Sequence, residues 1–310
     1  MGLEATGLEA LEQVQPKKVI RVKGLRKVYR IGDERVVALA NINLEILQGQ
    51  ICCIVGTSGS GKSTLLNQLA GLEKPTKGSV FIGKTNISSL SENRLAEFRQ
   101  RHLGFIFQSY NLMPTMTALE NVSLPLIFKG ISRSKRKKAA LTMLAAVGLK
   151  KRAYHKPTQM SGGQQQRVGI ARAFVTRPNV IFADEPTGNL DTKTTLEIMK
   201  MMVRFARKHH ETLIIVTHDP ELSDYADRVI TLIDGEITSD VLHTPAYNWS
   251  SDSAPASDSE QAAPAEGPPE ADTPDKETES VLPILMEDPP ALPLDIELPD
   301  RIEEKGESSL

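Results

Sequence analysis

The 310 residues are 40% hydrophobic and carry 37 basic and 39 acidic side chains, enough apolar material for one large or two modest folded domains. The formal charge of −2 conceals a division: from Asp240 onward 18 acidic residues face three basic ones, a net of −15, which leaves +13 for residues 1–239. Apolar runs such as ICCIV and LIIVT fall far short of the ~20 residues a membrane helix needs. The opening MGLEATGLEALEQVQPKK lacks the basic start and apolar core of a secretory signal, so a cytoplasmic chain is expected.

Residues 1–17 read as a disordered leader, and an alternation of strands and helices follows to about Ile237. The strand runs are VIRVKG, INLEI, ICCIV, SVFI, GFIF, VIFAD, LIIVT and RVITLI. Helical patterns occupy 62–70, 92–101, 117–129, 133–147, 162–176, 192–209 and 220–226. Continuous apolar strands such as ICCIV, VIFAD and LIIVT suit a parallel sheet buried on both faces, which predicts an α/β core covered by helices. Cys52 and Cys53 are neighbours on one strand and point to opposite faces, so they are expected to pack rather than to bridge or ligate. Beyond Thr244 the composition turns to Pro, Ala, Ser, Asp and Glu, with 11 of the 19 prolines between Pro245 and Pro299. Such a segment buries too little apolar surface to offset its ordering entropy, so 241–310 is expected to be a disordered acidic tail.

Three stretches carry chemistry. After ICCIV, the residues Gly56, Thr57, Ser58, Gly59, Ser60, Gly61, Lys62, Ser63 and Thr64 match the spacing of a phosphate-binding loop opening a helix. Glycines let backbone N–H groups wrap phosphates, the helix N-terminus favours their charge, Lys62 reaches the β and γ phosphates, and Ser63 offers a hydroxyl to Mg²⁺. VIFADEP is an apolar strand ending in two carboxylates, with Asp184 suited to Mg²⁺ and Glu185 to activating water. QMSGGQQQRVGIARAF supplies a second helix start fit for phosphate, at Ser161, Gly162, Gly163 and Gln164, although one nucleotide needs one γ-phosphate cradle.

In this ordered series the sequence resembles the ABC ATPase family, over about 220 residues, with Met160 where the family's signature usually has Leu. The resemblance implies a P-loop fold of ABC ATPase type: a mostly parallel core sheet with helices, an antiparallel β subdomain, and a helical subdomain at about 109–175 within a domain spanning 18–240. It implies that Ser161–Gln164 completes the ATP site of the opposite subunit, so that ATP holds a homodimer together. Gln108 in FIFQSYNL matches the family's Mg²⁺-contacting glutamine, Asp191 in GNLD its D-loop aspartate, His218 in IIVTHD its γ-phosphate histidine, and Tyr29 its adenine-stacking aromatic. YRIGDERVVAL, FQSYNLMPTMTALENVSLPL and ADEPTGNLD look most like subunits serving macrolide-export, lipoprotein-release and cell-division permeases, which implies a separate, FtsX-like membrane partner at the cytoplasmic face.

ABC ATPases of DNA maintenance insert long coiled coils between the glutamine and the signature, whereas only 52 residues separate Gln108 from Ser161 here. Translation factors carry two cassettes, and this chain has one. A kinase or GTPase would leave the signature, Gln108 and His218 without a task. Six cations, Lys129, Arg133, Lys135, Arg136, Lys137 and Lys138, crowd one helix start without an aromatic platform, so no nucleic-acid role is expected and a solvated face or anionic lipid is preferred. The tail has three readings: an inert solvated extension, a docking segment for a further partner at the apolar island VLPILMEDPPALPLDIEL, or a −15 arm that folds back loosely on the +13 body.

Overall fold

The computed structural model describes residues 17–245; the expected leader up to Gln15 and Pro16 and the tail from Ala246, with its docking segment, lie outside the described residues. The chain opens with a long hairpin, β1 (Lys18–Ile31) and β2 (Glu34–Leu47), turning at Gly32 and Asp33 with Gly32 at φ 61°. It then enters the core as β3 (Ile51–Val55) and runs through the 56–61 loop into α1 (Lys62–Leu69). β4 (Lys77–Ile82) and β5 (Thr85–Asn86) return to the first sheet, which is antiparallel with order β2-β1-β4-β5. α2 (Glu92–His102) leads into β6 (Leu103–Phe107), and three helices follow: α3 (Ala118–Phe128), α4 (Arg133–Ala146) and α5 (Gly162–Phe174). β7 (Val180–Asp184), α6 (Thr192–His209), β8 (Thr212–Thr217), β9 (Arg228–Ile233) and β10 (Glu236–Leu242) complete the fold.

The central sheet has order β10-β9-β3-β8-β7-β6, parallel except for the β9–β10 hairpin. Its strands read as unbroken apolar runs because helices cover both faces. On one face α6 sinks Ile198, Met199, Met202 and Val203 against the sheet, each gaining about 1.5–3 kcal/mol from burial, with Ala206 packed beside them. α3, α4 and α5 share a separate core around Val122, Leu144, Val147 and Val168. Cys52 and Cys53 are free and buried, and burial pushes both thiols up to about 12, leaving them apolar packers.

The structure departs from the sequence expectations in several elements, among them β5 and β10, which no expected strand run covers. The first two strands extend well beyond 19–24 and 42–46, because the GD turn lets the polar segment between them pair as a hairpin. Residues 220–226 form a 3₁₀ stretch, Pro220–Tyr225, rather than an α-helix. The expected boundary at 240 falls short: Val241 and Leu242 pair with Val229 and Arg228, and His243 N–H donates to Asp227 O at 2.7 Å. Lys17, assigned to the leader, accepts a 2.8 Å hydrogen bond from Gln48 N–H and is thereby tied to the residue after β2.

Candidate functional site

The loop after β3 is shaped by its glycines. A Cβ on Gly56 would sit 2.2 Å from Leu232 O, and Gly61, at φ +100°, would bring one within 2.5 Å of Ala38 O. No side chain caps the N-terminus of α1, so its first N–H groups face the loop free for an anion. Lys62 is buried, and its Nζ donates to Gly56 O at 2.9 Å and Thr57 O at 2.8 Å. Ser60 Oγ is buried without a hydrogen-bond partner among the described residues. This is a cradle for phosphate oxygens, with donors in surplus and acceptors few.

A cleft of about 450 Å³ opens over this loop, walled by Val37, Ser58, Lys62, Ser63, Glu185 and His218 among others. Ser63 Oγ donates to Asp184 Oδ1 at 3.2 Å, joining the start of α1 to the end of β7. Burial pushes the Asp184 carboxyl up, against the pull of the Ser63 bond, so a cation here would relieve a desolvated charge. Among the described residues no group of three or more His, Cys, Asp or Glu is arranged to hold a metal, so a cation at Ser63 and Asp184 would take its remaining ligands from phosphate and water.

Glu185 leaves β7 in the left-handed region, φ 45°, held by its N–H donating to Val216 O at 2.9 Å. That turn swings its carboxylate across to β8: Glu185 Oε2 lies 2.8 Å from His218 Nδ1 and accepts from Thr217 Oγ1 at 3.4 Å. The Glu185 side chain is 16% exposed and that of His218 64%, so the pair joins a shielded carboxylate to a solvent-facing ring.

Other predicted residues stand beside the cleft rather than in its wall. Tyr29 pairs in register with Val36, which lines the cleft, but its hydroxyl donates to Glu73 Oε2 at 2.7 Å and Lys27 Nζ lies 5.0 Å from its ring centroid. Gln108 touches the loop after β7: its carbonyl accepts from Asn189 Nδ2 at 3.0 Å, and a Cβ on Gly188 would lie 2.8 Å from its Nε2. Ser161 caps α5 by accepting from Gln164 N–H at 3.3 Å, while Ser161 N–H donates to Gln164 Oε1 at 3.2 Å. Gly162 and Gly163 fit tightly, since a Cβ would meet Tyr110 Oη and Thr194 Cγ2, each at 2.8 Å. None of residues 161–164 lines the cleft of its own chain. Asp191 caps α6, accepting from Thr194 N–H at 3.0 Å and Thr194 Oγ1 at 2.6 Å, and the Thr194 bonds hold its carboxyl below the usual range.

Sequence reasoning missed two residues that tie these pieces together. Gln166, fully buried on α5, donates through Nε2 to Pro186 O, next to Glu185. Arg172, one and a half turns on, donates to Tyr110 O and Asn111 O, two residues at φ 59° and 47° just after Gln108. The signal was polar residues set among the buried Val168, Ile170, Ala171 and Ala173 of α5.

The family described as ABC transporter matches residues 39–188. An uncharacterized ABC transporter ATP-binding protein of Thermotoga maritima is 48% identical over 224 residues, covering 71% of this chain and 94% of that protein. The chain belongs to the ABC transporter ATP-binding family. Its fold is that of the family's cassettes: a dimeric post-hydrolysis structure of the Methanocaldococcus jannaschii cassette MJ0796, bound to ADP and Pi, superposes with a TM-score of 0.68 at 44% identity, covering 72% of this chain and 98% of that one. The lipoprotein-releasing system ATP-binding protein LolD of Geobacter metallireducens is 46% identical over 222 residues, 99% of its length. The macrolide export ATP-binding/permease protein MacB of Rhodopirellula baltica is 46% identical over 225 residues, but this ABC ATPase spans only 33% of it. Among the described residues no helix is long and apolar enough to cross a membrane.

Proposed function

We propose that this ABC ATPase works as a homodimer that closes on two ATP molecules and drives a separate, FtsX-like permease from the cytoplasmic face of the membrane. The observation that carries the reading is the junction of β7 and β8, where the Glu185 carboxylate stands in the cleft wall beside Lys62 and Ser63 and is held by His218. Glu185 accepts the proton of the attacking water, and His218 both orients that carboxylate and reaches toward the γ-phosphate. The 56–64 loop and the N-terminus of α1 grip the phosphates, with Lys62 turning from the Gly56 and Thr57 carbonyls to the nucleotide. Ser63, Asp184 and Gln108 would hold Mg²⁺, which would supply neutralisation of phosphate charge when bound. Tyr29, whose ring already carries Lys27, stacks on adenine beside Val36. Ser161, Gly162, Gly163 and Gln164, absent from their own chain's cleft, complete that of the second copy, with Asp191 at the seam.

The matched LolD and MacB relatives, and the dimeric form of the matched cassette, support the transporter reading over a non-transport ABC ATPase. The tail segment 281–298 is proposed to dock a further partner. Glu185→Gln removes the proton acceptor and leaves the phosphate cradle intact. It is expected to bind ATP normally, to lose hydrolysis by a factor of about 10²–10⁴ and to accumulate as a dimer on size exclusion with ATP. A variant that hydrolyses at the native rate would remove Glu185 from the mechanism.

A further inference from the structure

The hairpin of α3 and α4 carries chemistry that ATP hydrolysis does not use. α3 ends on Ile127 and Phe128, 44% and 66% exposed. The chain turns at once, Gly130 N–H donating to Ile127 O and Ile131 N–H to Leu126 O, with Gly130 at φ 71°. α4 then opens with Arg133, Lys135, Arg136, Lys137 and Lys138, all exposed except the half-buried Arg136, which donates to Ile131 O.

This arrangement runs against helix electrostatics. Unpaired N–H groups give a helix N-terminus partial positive charge, so acidic side chains favour the first turn and cations the last. α4 has no acidic residue in its first turn, no basic residue in its last, and no side-chain bond from its N-cap Ser132. Two other helices place their cations at the favoured end: α2 closes on Arg99, Arg101 and His102, and α6 on Arg207, Lys208 and His209. Arg133 also repels Arg136 and Lys137 at helical spacing, as Lys135 repels Lys138. Among the described residues no carboxylate forms an ion pair with any of the five. Lys129 is a different case, since its Nζ donates to Arg101 O and Thr176 O, each at 3.2 Å, and so ties the turn to the body. The tip is thus fixed in place, uncompensated in charge, and edged by an exposed aromatic ring.

We propose that this α3–α4 tip is a contact for anionic phospholipid, with Phe128 and Ile127 entering the boundary of headgroups and acyl chains and the α4 cations meeting lipid phosphates. An anionic leaflet attracts clustered Lys and Arg, and an apolar edge adds the burial that a purely electrostatic contact lacks. The contact concerns lipid alone, so vesicles without a permease test it apart from the transporter reading.

Flotation of the full chain with phosphatidylcholine vesicles, with and without phosphatidylglycerol, decides it. Binding is expected only to the anionic vesicles and weakens as salt rises. Each cation removed lowers partition about fivefold, so the triple variant Lys135→Ala, Lys137→Ala, Lys138→Ala falls about a hundredfold. Phe128→Ser weakens partition while leaving its salt dependence. Both variants are expected to retain native ATPase rate and Tm, which shows that they fold. Equal binding to neutral vesicles, or unchanged partition of the triple variant, overturns the proposal; so does binding of a duplex RNA in preference to anionic vesicles that the same substitutions abolish.

Discussion

Lys62 and Ser161 each stand at a helix N-terminus, yet the proposed reading gives them different nucleotides. Lys62 lies inside its own chain's cleft with two carbonyl partners. Lys62→Ala deletes a charge-assisted bond to phosphate, typically about 1.5–3 kcal/mol, so ATP affinity of the monomer is expected to fall by about tenfold or more in a nucleotide titration. Ser161→Arg costs an N-cap, about 1 kcal/mol, which lowers Tm by about 2–4 °C without unfolding the chain. Its monomers are expected to bind ATP as the native protein does, while neither dimer nor hydrolysis appears. Loss of monomer affinity as severe as in Lys62→Ala would show that one chain's nucleotide touches its own Ser161, and the shared site would be wrong.

At the level of elements, the sequence was most legible where a buried strand meets a helix. ICCIV, VIFAD and LIIVT announce themselves because both faces of the sheet are covered, and Gly56–Thr64, Asp184, Glu185 and His218 sit where those strands end. It was least legible where pairing does not require apolar side chains. β10 is mostly exposed, with Val241 and Leu242 55% and 76% accessible, so no alternation betrays it. Gln166 and Arg172 serve backbone carbonyls distant in sequence, and a carbonyl leaves no mark on the residue that bears it. Glu211, at the junction of α6 and β8, is hidden for a similar reason. It is 3% exposed, neither carboxylate oxygen has a hydrogen-bond partner among the described residues, and burial pushes its pKa up to about 8 despite Arg177. The native state therefore keeps a proton that the unfolded chain releases near the ordinary carboxylate pKa. Its contribution is fully present below about pH 4.5 and is lost as pH rises through about 8, a decline on the order of a few kcal/mol. Glu211→Gln cannot titrate, so its Tm is expected to match the native protein near the acid end and to exceed it above pH 8. Parallel Tm profiles for the two proteins would show that the carboxyl is already ionised in the fold.

For the whole molecule, the division of charge and the division of motifs coincide. Tyr29 and His218 bracket every residue proposed for the ATP site, and the last backbone pairing of the sheet is His243 N–H to Asp227 O. Residues 246–310 hold 17 acidic side chains against three basic ones, with prolines scattered through them. A cut after Pro245 therefore removes no sheet hydrogen bond and no proposed ligand to nucleotide, whereas a cut at the originally expected boundary of 240 would strip Val241, Leu242 and His243 from β9. The chain ending at Pro245 is expected to keep native Tm and ATPase rate, while the chain ending at Asp240 loses stability by an amount on the order of the few backbone hydrogen bonds removed, each about 0.5–1.5 kcal/mol. Thermal melts and phosphate-release assays on the two truncations measure both. If the chain ending at Pro245 keeps its activity but loses function in cells, residues 246–310 act outside the ATPase, as the proposed docking segment 281–298 would. If the chain ending at Pro245 precipitates or fails to bind nucleotide, the folded unit extends past the last strand and the assignment of 246–310 as dispensable is wrong.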